Sequence, residues 1–152
     1  MERSTIEELV YASCLLLDEK NYQGYMALCD EGFQYTITTH SPEIRRDMVW
    51  LDHDRKGLET LFTQLPRHNS DHSPLTRHAT VYSVKVDEAG KVADVISALQ
   101  VFKTELDGGV TSLYAVGKYV DRVNIANGAA KLARRTVKLD TRMLGIGYHI
   151  PF

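Results

Sequence analysis

Cysteine, proline and tryptophan are all scarce in this chain of 152 residues, which has two, four and one of them. Cys14 and Cys29 are too few for a disulfide framework, and both fall in helical patterns where a buried free thiol is the ordinary outcome. No segment approaches the roughly 18 consecutive apolar residues that span a bilayer. Met1-Glu2-Arg3-Ser4 opens straight into an amphipathic helix, with no signal-peptide core before it. These features place the expected location in the cytoplasm. An excess of either charge is missing too: 18 Lys and Arg face 20 Asp and Glu, a net charge of −2. Nothing in that balance argues for nucleic acid or a membrane as partner. The one basic cluster, Lys131 with Arg134 and Arg135, lies in a strand pattern and reads as a solvated or ion-paired sheet edge. No linker, repeat or low-complexity run divides the chain. One domain is expected, long enough to bury roughly 70% of its unfolded surface.

What the chain does have is a long meander from Thr76 to Leu139, rich in Val, Tyr, Thr and Leu. Asp87-Glu88-Ala89-Gly90, Asp107-Gly108-Gly109 and Asn127-Gly128 punctuate it with residues that tolerate positive φ, the mark of hairpin turns. Ahead of it, Ser4-Thr5-Ile6-Glu7 matches a capping box, and Ile6, Leu9, Val10, Leu16 and Leu17 form an apolar stripe to about Lys20. A short second helix is predicted from Asn21, with Tyr22, Tyr25, Met26 and Cys29 inward. Phe33 to Thr38 alternates as a strand, and 40–54 is the least regular stretch. A third helix spans about Asp54 to Gln64, stopped by Pro66 and followed by a polar loop to Pro74.

Helices first and a meander afterwards predict an α+β fold: a curved antiparallel sheet wrapped around three N-terminal helices. In one strand Val95, Leu99 and Val101 share one face while Ile96, Ala98 and Phe102 share the other. A single helical layer covers one face only. The other is covered by a partner subunit, or simply carries a few tolerated surface hydrophobes.

Candidate chemistry is thin. His68, Asp71 and His72, with His78 nearby, suggest a metal, yet their spacing matches no metal motif; Asp71 is better explained as a turn former and His72 as a loop residue before Ser73-Pro74. A Rieske centre needs Cys-x-His and Cys-x-x-His pairs, which neither cysteine supplies. No Gly-rich phosphate loop, Gly-x-Ser-x-Gly elbow or His-Glu-x-x-His is present. Acid–base work in an apolar pocket would fall to Tyr35, Asp47, His78 and Tyr114, provided they converge; otherwise the tyrosines are core aromatics and His78 a sheet residue.

The order of elements resembles the nuclear transport factor-like cone fold, here one domain over residues 1–152. More specifically, His72-Ser73-Pro74-Leu75-Thr76-Arg77-His78, Arg134 to Arg142 and the closing Ile150-Pro151-Phe152 resemble the small (β) subunit of Rieske-type aromatic-ring-hydroxylating oxygenases. Within that family, Arg45 to Asp52 with His68 to His72 is most similar to the small hydroxylase subunits of methanesulfonate monooxygenases, so an aromatic substrate is not implied. The resemblance implies a non-catalytic subunit that trimerises and scaffolds three catalytic large subunits, a hexamer of three and three. It implies no cofactor or metal in this chain, with the Rieske iron–sulfur cluster and mononuclear iron in the large subunit. Trp50, Arg142, Tyr148, Pro151 and Phe152 are the expected contact residues, because aromatic and Arg side chains dominate interface energetics. Trp50 and Phe152 have a second reading, as caps on the chain's own core. The alternatives are a cone-fold isomerase, dehydratase or cyclase built on the Asp/His/Tyr set, and a small-molecule binding module.

Overall fold

The computed structural model describes residues 1–68, 71–144 and 151–152. Helix α1 (Arg3–Asp18) buries Ile6, Leu9, Val10, Cys14 and Leu17 on one side. Its start differs from the expected capping box. The helix begins two residues earlier, Glu2 occupies the cap without a side-chain bond, and Glu7 pairs with Arg3 at 2.7 Å instead. Its end is a Schellman arrangement: Lys20 takes φ 57°, its amide donates to Leu17, and the Asn21 amide donates to Leu16 at 2.8 Å. Asn21 then caps α2 (Tyr22–Ala27) by accepting the Gly24 amide.

Strand β1 (Cys29–Ser41) is much longer than the alternating core that predicted it, and Cys29 opens this strand rather than closing the helix. The irregular stretch holds a further strand, β2 (Arg46–Asp54), after a turn with Arg45 at φ 53°. Helix α3 (Arg55–His68) is capped by Asp54, whose carboxylate accepts the Gly57 amide at 2.8 Å. It runs past Pro66. Within the last turn a missing N–H removes a single intrahelical bond, so the proline ends the helix late rather than at once. The meander follows as β3 (Leu75–Val86), β4 (Val92–Thr104), β5 (Thr111–Ala126) and β6 (Ala129–Leu139). Its turns use the anticipated residues: Asn127 at φ 52° and Gly128 at φ 74° form a two-residue hairpin, and Gly90, Gly108 and Gly109 also have positive φ.

The six strands lie in the order β2-β1-β6-β5-β4-β3. All neighbours are antiparallel except β1 and β6, which run parallel from Gln34 opposite Arg134 to Thr39 opposite Leu139. The expected all-antiparallel sheet is thus mixed at one junction. Bulges at Trp50, Tyr82, Tyr114 and Ala133 bend the strands and increase local twist. At Gly117, β5 and β6 approach so closely that a Cβ would stand 2.3 Å from the Lys138 carbonyl oxygen. The result is a cone: the helices lie over the concave side, packed on Phe33, Tyr35, Ile37, Leu99, Val101, Tyr119 and Val137. Among the described residues, nothing covers the convex side of the central strands, where Ile96 and Leu113 are exposed.

Candidate functional site

Inside the cone the largest fully buried side chain is Arg135, on β6. The strand pattern that suggested a solvated sheet edge here is in fact the middle of the sheet. Asp121, directly opposite on β5, accepts from Nε and from Nη2, both at 2.9 Å, and Ser13 of α1 accepts from Nη1 at 2.8 Å. The guanidinium also lies 3.7 Å from the centroid of the Tyr119 ring. Burial opposes its charge, but the Asp121 carboxylate outweighs that and holds its pKa well above the ordinary arginine value. The guanidinium therefore keeps its charge at neutral pH and has no proton to exchange. Two further groups close the cone. The Tyr35 hydroxyl donates to the Phe152 carbonyl at 3.1 Å and accepts the Phe152 amide at 2.8 Å. Arg77, paired with Asp18 at 2.8 Å, donates to the Pro151 carbonyl at 2.9 Å.

The four acid–base candidates do not share a cavity. Tyr35 is buried, both sides of its hydroxyl are occupied, and burial raises its pKa. Tyr114 sits in the β5 bulge, its ring 6.1 Å from that of Phe152 and its hydroxyl donating to the Leu144 carbonyl. Asp47 is exposed on β2 and contacts His40 at 3.1 Å. His78 is exposed on β3, against the Phe102 ring at 5.0 Å. Strands β2 and β3 are the two opposite edges of the sheet, so four strands lie between Asp47 and His78. The missing signal was β2 itself. With that strand unread, nothing fixed where Asp47 would fall.

The expected contact residues divide in two. Trp50 is half-buried in the β1–β2 bulge, and Arg142 is exposed and bonded to Glu43 at 3.0 Å. Pro151 and Phe152 are not surface residues. Phe152 is 2% exposed, wedged between Tyr35 and Tyr114, so both residues seal their own core and are corrected to that role. Tyr148 lies outside the described residues, as does the side chain of His68.

Among the described residues no group of three His, Cys, Asp or Glu is placed to hold a metal ion. Asp71 is engaged by Lys103 at 2.7 Å and by the Ser73 amide at 3.0 Å, which hold its carboxyl down at about 2. Its contribution to stability is therefore present above the unfolded carboxyl value near 4 and lost as pH falls toward 2. Asp71→Asn should cost about 1 kcal/mol or less at pH 7, since the pair is partly solvated, and should flatten the acid limb of a urea-unfolding series between pH 4 and 2. Parallel acid limbs for the two proteins would contradict this.

Two open grooves lie outside the cone. One of about 460 Å³ runs between α2 and α3 beside the stacked Tyr22 and Phe62 rings, 4.5 Å apart. The other, about 530 Å³, separates α1 from the β3 edge. Neither contains the Arg135 cluster. The profile described as "ring hydroxylating beta subunit" matches residues 13–145. The chain belongs to that family. The β-subunit family includes two similar proteins of known name. One is the β subunit of the methanesulfonate monooxygenase hydroxylase of Methylosulfonomonas methylovora, 42% identical over 96% of this chain and 84% of that protein. The other is the β subunit of 2-aminobenzenesulfonate 2,3-dioxygenase from an Alcaligenes species, 33% identical over 99% of both chains. In fold, the chain is similar to the crystal structure assigned as an aromatic-ring-hydroxylating dioxygenase β subunit from Novosphingobium aromaticivorans. That match has a TM-score of 0.78 at 22% identity, covering 93% of this chain and 90% of the other.

A Rieske centre takes two thiolates and two imidazoles. Here burial pushes the Cys29 thiol up to about 12, and Cys14 also rises above its usual value, so both favour the protonated form. Cys29 donates to the Tyr25 carbonyl, and Cys14 lies 3.7 Å from the Tyr119 hydroxyl. These residues do not fit such a cluster.

Proposed function

We propose that this β subunit is the structural, non-catalytic partner in a multicomponent Rieske oxygenase, trimerising to hold three large subunits. Each large subunit would carry the iron–sulfur cluster and the mononuclear iron. The observation that carries the reading is the filled cone. The concave side, where a pocket would lie, is occupied by Arg135, Asp121 and Phe152, while the convex side is open and partly apolar. The isomerase-like alternative loses its support, because Asp47 and His78 stand on opposite edges. A sulfonate is the favoured substrate class of the complex, since both similar proteins are named for sulfonates. The substrate itself would be chosen in the large subunit. We keep the cytoplasm as the proposed location of the complex. Among the described residues no helix is long and apolar enough to cross a membrane.

Trp50 and Arg142 are the proposed contact residues toward the large subunit. Co-expression with that subunit should give one complex of three and three by light scattering. Trp50→Ala and Arg142→Ala should each lower its yield while leaving the iron content per large subunit unchanged. A β subunit that stays monomeric both alone and with the large subunit would overturn the reading.

A further inference from the structure

The convex face carries a pattern that the folded monomer does not explain. Cross-strand neighbours normally pair opposite charges, and like charges directly opposite destabilise a sheet. Here Lys118 stands opposite Lys138, and Arg122 opposite Arg134. All four are exposed, on one face of two central strands. Arg122 has one compensating contact, Asp94 at 3.5 Å; the other three have no ion pair among the described residues. Between the two cationic rows lies a low apolar stripe made by Ile96, Val120 and Thr136, with Ala98 beside it.

Such a face cannot pair with itself about a two-fold axis through its centre, because cations would meet cations. It calls for a different, acidic surface, which makes the contact heterologous, the kind that forms a ring where the rotation closes. The rest of the same chain is acidic: setting these four cations aside leaves 14 against 20 carboxylates. Helix α1 offers the matching shape. Glu8, Tyr11, Leu15 and the C-cap Glu19 follow one another on its outer side, and all are exposed; Tyr11 and Leu15 retain 42% and 57% of their accessibility, while the Tyr11 hydroxyl accepts from the Val81 amide of β3 at 3.3 Å. The nearby Arg3 is already paired with Glu7. Eleven residues of helix separate Glu8 and Glu19 by about 16 Å. Four residues of strand separate the cationic rows by about 13 Å, a difference that Lys and Arg side chains span easily.

We infer that the outer face of α1 from a second copy of this chain docks on the convex face of β4–β6, with Glu8 and Glu19 against the two cationic rows and Tyr11 and Leu15 on the apolar stripe. The inference rests on the proposed self-association and specifies its contact. Three full-length variants test it by light scattering over a concentration series. Reversing both rows, Lys118, Arg122, Arg134 and Lys138 each to Glu, should weaken self-association about 100-fold, and so should Glu8→Lys with Glu19→Lys. Combining all six substitutions in one chain should restore it. Raising salt should weaken the wild-type assembly. Lys138→Glu alone should also raise the Tm of the dissociated chain, because it replaces a cross-strand repulsion with an attraction. If the sheet variant fails to fold, the helix variant still decides. Wild-type assembly unaffected by either reversal overturns this contact and leaves the trimer standing. Loss without restoration in the combined variant overturns α1 as the occupant. A wild type that is monomeric at every concentration overturns the self-association itself.

Discussion

Replacing Asp121 by alanine should destabilise the subunit by about 3–5 kcal/mol, because it strands a buried guanidinium without its counter-charge. Arg135 is fully buried, and Asp121 accepts from two of its nitrogens. Ser13 and the Tyr119 ring remain in the variant, but neither carries a charge. At this chain length the loss corresponds to a fall in Tm of roughly 10 °C or more. Removing both partners together is a different experiment. Asp121→Leu with Arg135→Met takes away the desolvation cost along with the attraction, and should bring stability back to within about 1–2 kcal/mol of wild type. Urea unfolding of the three proteins measures this directly. A single variant that unfolds like wild type would mean the pair is hydrated rather than sealed in the core.

Phe152→Ala should cost about 3–5 kcal/mol, the range for emptying a buried aromatic site. Phe152 is the point where two parts of the core meet, since its ring contacts Tyr114 and its backbone occupies the Tyr35 hydroxyl. Tyr35→Phe removes only that hydroxyl and leaves the Phe152 amide and carbonyl without their partner, so a loss of about 1–3 kcal/mol is expected. The two changes touch the same contact, and the double variant should lose less than their sum. Strict additivity would show that the backbone of Phe152 is held without Tyr35. The double variant should also lose yield in co-expression only as far as its stability falls, since both groups face inward.

The meander was legible because its turns rely on glycine and asparagine at positive φ, a local requirement written directly into Gly90, Gly108, Gly109 and Asn127-Gly128. Strand β2 was not. It is an edge strand with a bulge at Trp50, charged at both ends and exposed along much of its length, so no alternation marks it. Its parallel neighbour pair, β1 and β6, has no local signal at all, because the partners are about 100 residues apart in sequence. Arg135 was misplaced for a related reason. A charge in a strand reads as solvated until its partner is known, and the bulge at Ala133 shifts β6 so that Arg134 faces out while Arg135 faces in. The same holds for Phe152, whose interior position depends on Tyr35, 117 residues earlier.

That parallel junction also sets an order of events during synthesis. Among the described residues, the β1–β2 hairpin reaches the rest of the sheet only through β6, the last of the described strands to be made. Until it emerges, β1 has no neighbour on one side, and the N-terminal helices have no complete concave surface to rest on. The nascent chain can cover Phe33 early with Tyr25 of α2, but the β6 side of β1 stays unpaired until the end, so closure of the sheet comes late. Long-range closure of this kind is slow, and it leaves unfinished chains prone to aggregation. Truncated translation products should accordingly be cleared or aggregate rather than persist as half-folded subunits competing for assembly.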